Sequence, residues 1–160
     1  MIQIVRKEDL PACVKIIRAS FQTVADTFGL TIENAPRFTA FAITEERLLW
    51  QMEQEHRPMF AYWYNGRIIG YYSLLLLENK ACELNNICVL PAYRHSKLGQ
   101  TLLEHAFSTA KTLGCTTMHI GIVEENTVLR QWYECFGFLH TRTKKFDFFP
   151  FTCGYMEKEL

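Results

Sequence analysis

Three apolar runs between Met59 and Val89, joined by two very short turns, constrain this chain most. Met59 to Tyr64 is the first run, Asn65-Gly66 follows, and Arg67 to Leu77 is the second. Asn-Gly supplies the positive φ angles of a two-residue hairpin turn. Glu78-Asn79-Lys80 makes a second turn, and Ala81 to Val89 reads as a third strand. Pro91 ends it, because proline has no N–H for a ladder. A meander of this kind must cover its faces, and the flanking segments carry helical periodicity. Leu10, Cys13, Val14, Ile17, Phe21 and Val24 form one stripe after an N-cap at Asp9, and Gly29 closes it. Thr44 caps a second helix with Leu48, Leu49 and Met52 inward. Lys97 to Leu113 is a long amphipathic helix stopped by Gly114, and Leu129, Trp132, Tyr133 and Phe136 mark a fourth that ends at Gly137. Ile2–Val5, Thr117–Val123, Phe138–Phe146 and Phe151–Lys158 complete the strands, while Leu30 to Ile43 lacks periodicity and reads as loop. The expectation is one α/β domain over residues 1–160, built on a mixed, mostly antiparallel sheet of about seven strands with about four helices on both faces.

Composition excludes several classes. The 17 basic and 17 acidic residues cancel, which argues against whole-surface attraction to nucleic acid or an anionic membrane. The longest apolar run, Ile68 to Leu77, is far shorter than a membrane span and contains Gly70 and Ser73. Met1 to Asp9 has no basic segment leading into an apolar core, so no secretory signal is read. Cys13, Cys82, Cys88, Cys115, Cys135 and Cys153 form no C-x-x-C pair or zinc-ligand spacing, and each stands among apolar neighbours. They are read as buried free thiols of a reducing, cytoplasmic protein. The five histidines are scattered, and no metal is expected.

Chemistry concentrates where the third strand runs into the long helix. Arg94, His95, Ser96, Lys97, Leu98, Gly99 and Gln100 form a polar, basic loop opening a helix. The first N–H groups of a helix lack internal partners and carry the positive end of its dipole, so a phosphate or pyrophosphate suits the spot. A plain connection with a solvated loop is the competing reading.

Val89-x-Pro91-x-Tyr93-Arg94-x-x-x-x-Gly99-x-x-Leu102-Leu103 resembles the signature segment of the GNAT superfamily of acyl-CoA-dependent N-acyltransferases. That family shows [Gln/Arg]-x-x-Gly-x-[Gly/Ala] after a strand ending in Val-x-Pro. A second block, Asn126 to Phe138, is similar to the family's Asn-x-x-Ala-x-x-x-Tyr-x-x-x-Gly-Phe, with Leu129 in place of Ala. The ending Tyr155-Met156-Glu157-Lys158-x-Leu160 is also common there. The resemblance implies direct acetyl transfer from acetyl-CoA to an amine held in a cleft between two splayed strands, without metal. It implies that Tyr133 protonates the departing thiolate, that the backbone of Ile87, Cys88 and Val89 pairs with the pantetheine arm, and that Asn126 contacts the coenzyme besides capping its helix. Lys97 stands where the family has its first glycine. Either the loop turns left-handed at Lys97, at about 1–2 kcal/mol, or it stays right-handed with the ammonium on phosphate.

An alkyl amine with pKa near 10.4 is neutral in only about one molecule in 10³ at pH 7, so a base is useful. Strict alternation puts Glu83, Asn85, Ile87 and Val89 on one face, with Cys88 opposite. Glu83 resembles the general-base position of some members; its alternative is an exposed strand-end carboxylate. Tyr133 likewise has the alternative of core packing. A covalent route through Cys88 is rejected, because the thiol points away from Glu83 and no histidine is placed beside it. The acceptor is expected between Gly29–Ile43, with Phe38 and Phe41, and Phe146–Phe151, with Glu33 and Asp147 as acids. It is a small-molecule amine or a peptide or protein amine. Many members dimerise, so a homodimer is among the implied partners. The alternative reading is a non-catalytic coenzyme A-binding sensor or interaction module.

Overall fold

The helices fall on both sides of one seven-stranded sheet in the computed structural model, which describes residues 1–160. The strands are β1 (Ile2–Ile4), β2 (Met59–Tyr64), β3 (Arg67–Leu76), β4 (Ala81–Val89), β5 (Thr117–Val123), β6 (Leu139–Lys145) and β7 (Thr152–Glu159). Their spatial order is β1-β2-β3-β4-β5-β7-β6. Every neighbour pair is antiparallel except β4 with β5. The helices are α1 (Leu10–Phe28), α2 (Thr39–Ala42), α3 (Glu45–Glu53), α4 (Leu98–Thr112) and α5 (Thr127–Cys135). Five helices rather than four arise because one turn, α2, forms inside the stretch expected to be loop.

Burial divides the layers. Leu10, Cys13 and Ile17 of α1 and Leu48 of α3 pack on Ile68, Tyr71 and Cys88. On the opposite face Leu102, Leu103, Ala106 and Ala110 of α4 and Tyr133 of α5 cover Tyr72, Leu74, Leu84, Val89, Met118 and Ile120. Strand β3 is therefore buried from both sides. Its Gly70 permits this: a Cβ there would stand 2.8 Å from Leu102 Cδ1 and 3.2 Å from the Cys88 carbonyl oxygen, so α4 seats on β3 only over a glycine. A third cluster, Ala25, Leu30, Phe38, Val123 and Phe151, gathers at the far end of α1.

Helix ends follow the expected chemistry with one change. Thr44 Oγ1 accepts from the Arg47 N–H at 3.1 Å, and Gly29 closes α1 in the left-handed region at φ 65°. Asp9 does not cap α1. It ends a 3-10 turn, Lys7–Asp9, and its carboxylate accepts from the Arg6 N–H at 2.8 Å. The thiols also divide: Cys13, Cys82, Cys88 and Cys115 are buried, Cys153 is half-buried and Cys135 is exposed, on the outward side of the last turn of α5. No helix is long and apolar enough to cross a membrane.

One titrating group is built into the α4 layer. His105 Nδ1 lies 2.7 Å from the Tyr72 hydroxyl, and Phe60 stands edge-on to the imidazole at 5.0 Å. Burial lowers the pKa of His105 below its ordinary 6.5. Above pH 6.5 both folded and unfolded states hold it neutral. As pH falls below 6.5 the unfolded chain takes up the proton first, so stability is lost. Thermal melts should show a midpoint falling below pH 6.5, and His105→Gln should flatten that part of the profile.

Candidate active site

The parallel pair in the centre of the sheet is incomplete. Ala81, Cys82 and Glu83 pair with Thr117, Met118 and His119, and the pairing stops there. Strand β4 continues to Val89 and β5 to Val123 with no bridge between them. The two strands thus splay into a cleft whose walls are main chain.

At the mouth of this cleft β4 carries a bulge. Ser73 pairs with Asn85, but Tyr71 pairs with Cys88, so Tyr72 faces two residues, Asn86 and Ile87. Asn86 takes the left-handed conformation, φ 54°. The extra residue reverses the side-chain alternation beyond it. Leu84 lies with the α4 layer, yet so do Ile87 and Val89, while Cys88 packs with α1. The expectation that Glu83, Asn85, Ile87 and Val89 share a face is therefore corrected: Glu83 and Asn85 share the face of Cys88, not of Ile87 and Val89. The signal was present in Asn85-Asn86, residues depleted in strands and tolerant of positive φ. Cys88 remains an unsuitable nucleophile for a different reason. Burial pushes its thiol up to about 12, against the opposing pull of Ser20 and Arg94, so the reactive thiolate is absent at neutral pH.

The loop after β4 has the features of an anion cradle. Lys97 caps α4 from the left-handed region, φ 63°, and His95 is left-handed as well, φ 66°. Of the two alternatives for Lys97, the left-handed turn is the one adopted. The first backbone bond of α4 is Thr101 N–H to the Lys97 carbonyl at 3.0 Å. None of the N–H groups from His95 to Gln100 donates to a protein acceptor, and His95, Ser96 and Lys97 are exposed. A row of consecutive free N–H groups running into a fifteen-residue helix can hold a phosphate without further help.

Arg94 behaves differently from its loop neighbours. Its Nε donates to the Val89 carbonyl at 3.0 Å, one terminal nitrogen to Thr23 Oγ1 at 2.9 Å, and the other to the Ser20 carbonyl at 3.0 Å. The guanidinium straps the end of β4 to α1 across the surface. Ser96 Oγ donates to the Tyr93 carbonyl, and Gln100 donates to Glu104.

Across the cleft, Asn126 Oδ1 accepts the Leu129 N–H at 3.2 Å and starts α5. That helix carries Tyr133 inward, against Trp132 at 5.0 Å and Phe138 at 5.4 Å. Burial, with the neighbouring Cys88 thiol, pushes the Tyr133 hydroxyl well above its ordinary range. Glu83 sits at the last paired position before the splay, half-buried, beside His119. The expected acceptor walls do meet: Phe38 stands edge-on to Phe151 at 5.9 Å, Phe149 stacks on Phe151 at 4.6 Å, and the Arg37 guanidinium lies 4.2 Å over Phe148. Glu33 and Asp147 are exposed.

A model of the acetyltransferase (GNAT) family matches residues 25–138. The chain belongs to the GNAT acetyltransferase family. It is an N-acetyltransferase, and acetyl-CoA is its acyl donor. A spermidine N(1)-acetyltransferase of Thermoplasma acidophilum is 32% identical over 84 residues, 52% of each chain. The structure of the PaiA N-acetyltransferase of Thermoplasma acidophilum, in complex with coenzyme A, superposes with TM-score 0.84 at 22% identity, over 100% of this chain and 99% of that one. The ribosomal-protein-S18-alanine N-acetyltransferase of Escherichia coli superposes with TM-score 0.78 at 20% identity, over 99% and 92%. In this GNAT chain β4 splays from β5, the free N–H row opens α4, and α5 turns Tyr133 inward.

Proposed function

We propose that this enzyme transfers the acetyl group of acetyl-CoA directly to a primary amine of a small molecule, peptide or protein, within the β4–β5 cleft. The observation that carries this reading is the unpaired length of β4 beside a row of six free N–H groups. Acetyl-CoA supplies an electrophilic thioester carbon and a thiolate leaving group. The N–H row from His95 to Gln100 holds the pyrophosphate, with the Lys97 ammonium adding charge at the same place. The edge of Ile87, Cys88 and Val89 offers main-chain donors and acceptors to the pantetheine arm by strand addition, a role that does not depend on where the bulge turns their side chains. Asn126 lines the opposite side.

Glu83 takes the proton that the amine gives up as its nitrogen bonds the acetyl carbon, directly or through water. Tyr133 donates its hydroxyl proton to the sulfur as the carbon–sulfur bond breaks. A phenol near its usual pKa of 10 already holds that proton at neutral pH, and burial holds it to higher pH still. Phe148 and Phe149, lying over the buried Phe38–Phe151 pair, exclude water from one side and give the acceptor an apolar surface.

Calorimetric titration with acetyl-CoA should give micromolar binding. Thiol release should follow with one amine of a panel holding spermidine and peptides with a free amino-terminal alanine. Binding without release from any amine would support the coenzyme A sensor instead. Reversing the charge in the cradle, Lys97→Glu, should weaken coenzyme binding by about 1–2 kcal/mol, five- to thirtyfold, because an acid faces phosphate at a helix start. Unchanged affinity in the same titration would remove the phosphate from this loop.

A further inference from the structure

Strand β7 contains a glycine that its backbone does not require. Gly154 lies inside the ladder of β7, paired with Ile122 and Thr143, and is not among the glycines with positive φ. Glycine weakens a strand interior, so its presence points to a close approach by another group. That group is Glu124. A Cβ on Gly154 would collide with Glu124 Oε2 and stand 3.2 Å from both Glu124 Cδ and Ile122 Cγ1.

The carboxylate in that space joins three elements. Glu124 Oε2 lies 2.8 Å from His140 Nε2 on β6, and Oε1 accepts from Arg130 Nη1 on α5 at 3.0 Å. Arg130 Nε also donates to Glu134 Oε1 at 3.0 Å, so its guanidinium is held along the helix. The side chains of Glu124 and His140 are each only 21% exposed, so their contact is largely shielded from water. The main chain is tied down as well: Glu124 N–H donates to the Thr152 carbonyl at 2.8 Å, and Thr152 N–H donates to Glu125 Oε1 at 3.1 Å. Arg130 stands one helical turn before Tyr133 on a nine-residue helix. A helix this short has little to fix its rotation besides its own packing and this clamp.

We propose that Glu124, seated over Gly154, is a positioning residue: it clamps α5 to β6 and β7 and thereby sets where the Tyr133 hydroxyl stands in the cleft. The proposal rests on reading Tyr133 as the acid. It concerns the aim of one hydroxyl and predicts no change in coenzyme affinity, since the N–H row belongs to α4.

The test uses protein carrying tyrosine labelled with carbon-13 at Cζ, whose resonance reports hydroxyl surroundings. The chain has seven tyrosines, and the line lost in Tyr133→Phe assigns the one needed. In the wild type, adding coenzyme A should shift the Tyr133 line. In Glu124→Ala that line should move in the free protein and lose its coenzyme-induced shift, with the calorimetric Kd for coenzyme A unchanged. Glu124→Gln, which keeps the volume and one acceptor, should show a partial effect. Gly154→Ala should displace the line as Glu124→Ala does, and the double variant should add nothing to Glu124→Ala. A Tyr133 line that is unmoved in Glu124→Ala overturns the proposal, and so does collapse of all seven lines in both Glu124 variants, which would make the residue a general support of the core. If the wild-type line ignores coenzyme A but still moves in Glu124→Ala, the clamp stands and the assignment of Tyr133 as acid fails.

Discussion

Tyr133→Phe is expected to lower acetyl transfer by about 10²–10⁴-fold, the usual worth of a positioned general acid. Coenzyme affinity should stay as it is, because the phenyl ring keeps the contacts with Trp132 and Phe138 and the free N–H row of α4 is untouched. The comparison is thiol release at saturating acetyl-CoA and amine, beside calorimetric titration of coenzyme A. Because burial raises the hydroxyl pKa, the wild-type rate should show no falling limb from this group as pH rises through 8 and 9. A variant as fast as the wild type, with chemistry rate-limiting, would return Tyr133 to the core.

Glu83→Gln should reduce turnover by about 10²-fold at pH 7, again within the range for general base catalysis. The deficit should shrink as pH approaches 10.4, since the free amine fraction grows about tenfold per unit and the enzyme need no longer create it. A deficit constant across pH would mean that Glu83 serves the sheet instead. Its place makes that a real contest: it occupies the last β4–β5 bridge, where a side chain both ends a ladder and opens a cleft.

Most of the architecture could be read from local signals. Asn65-Gly66 announced the first hairpin, and the apolar stripes of α1, α4 and α5 lie inward where their spacing put them. The cap at Thr44 and the stops at Gly29, Gly114 and Gly137 are local too, because a cap needs only residues three or four apart. Short α2 escaped, since one turn of helix leaves no period to detect. Asp9 departs from its expected role for a related reason: its carboxylate serves a preceding 3-10 turn, and the same residue type starts either.

The cleft was less legible. The residue types at Tyr133, Asn126 and the Arg94–Gln100 loop were visible through the family resemblance, but their geometry was not. A single inserted residue at Asn86 turned half of β4 over, and strict alternation cannot foresee a bulge because it assumes a constant period of two. The bonds of Arg94 to α1 leave no local signal, because Thr23 and Ser20 lie more than seventy residues away in the chain. Glu124 and Gly154 left no motif at all, thirty residues apart and meaningful only as a carboxylate and the space it fills.

The elements, their order and the polar, basic character of the loop from Arg94 to Gln100 follow from the chain locally, because these depend on hydrogen bonds and periodicities spanning a few residues. Which way the side chains of β4 turn, where β4 leaves β5, and which partners Arg94 and Glu124 take are set by tertiary packing. Those outcomes depend on contacts between distant segments, whose pairing is settled by burial and space across the whole sheet.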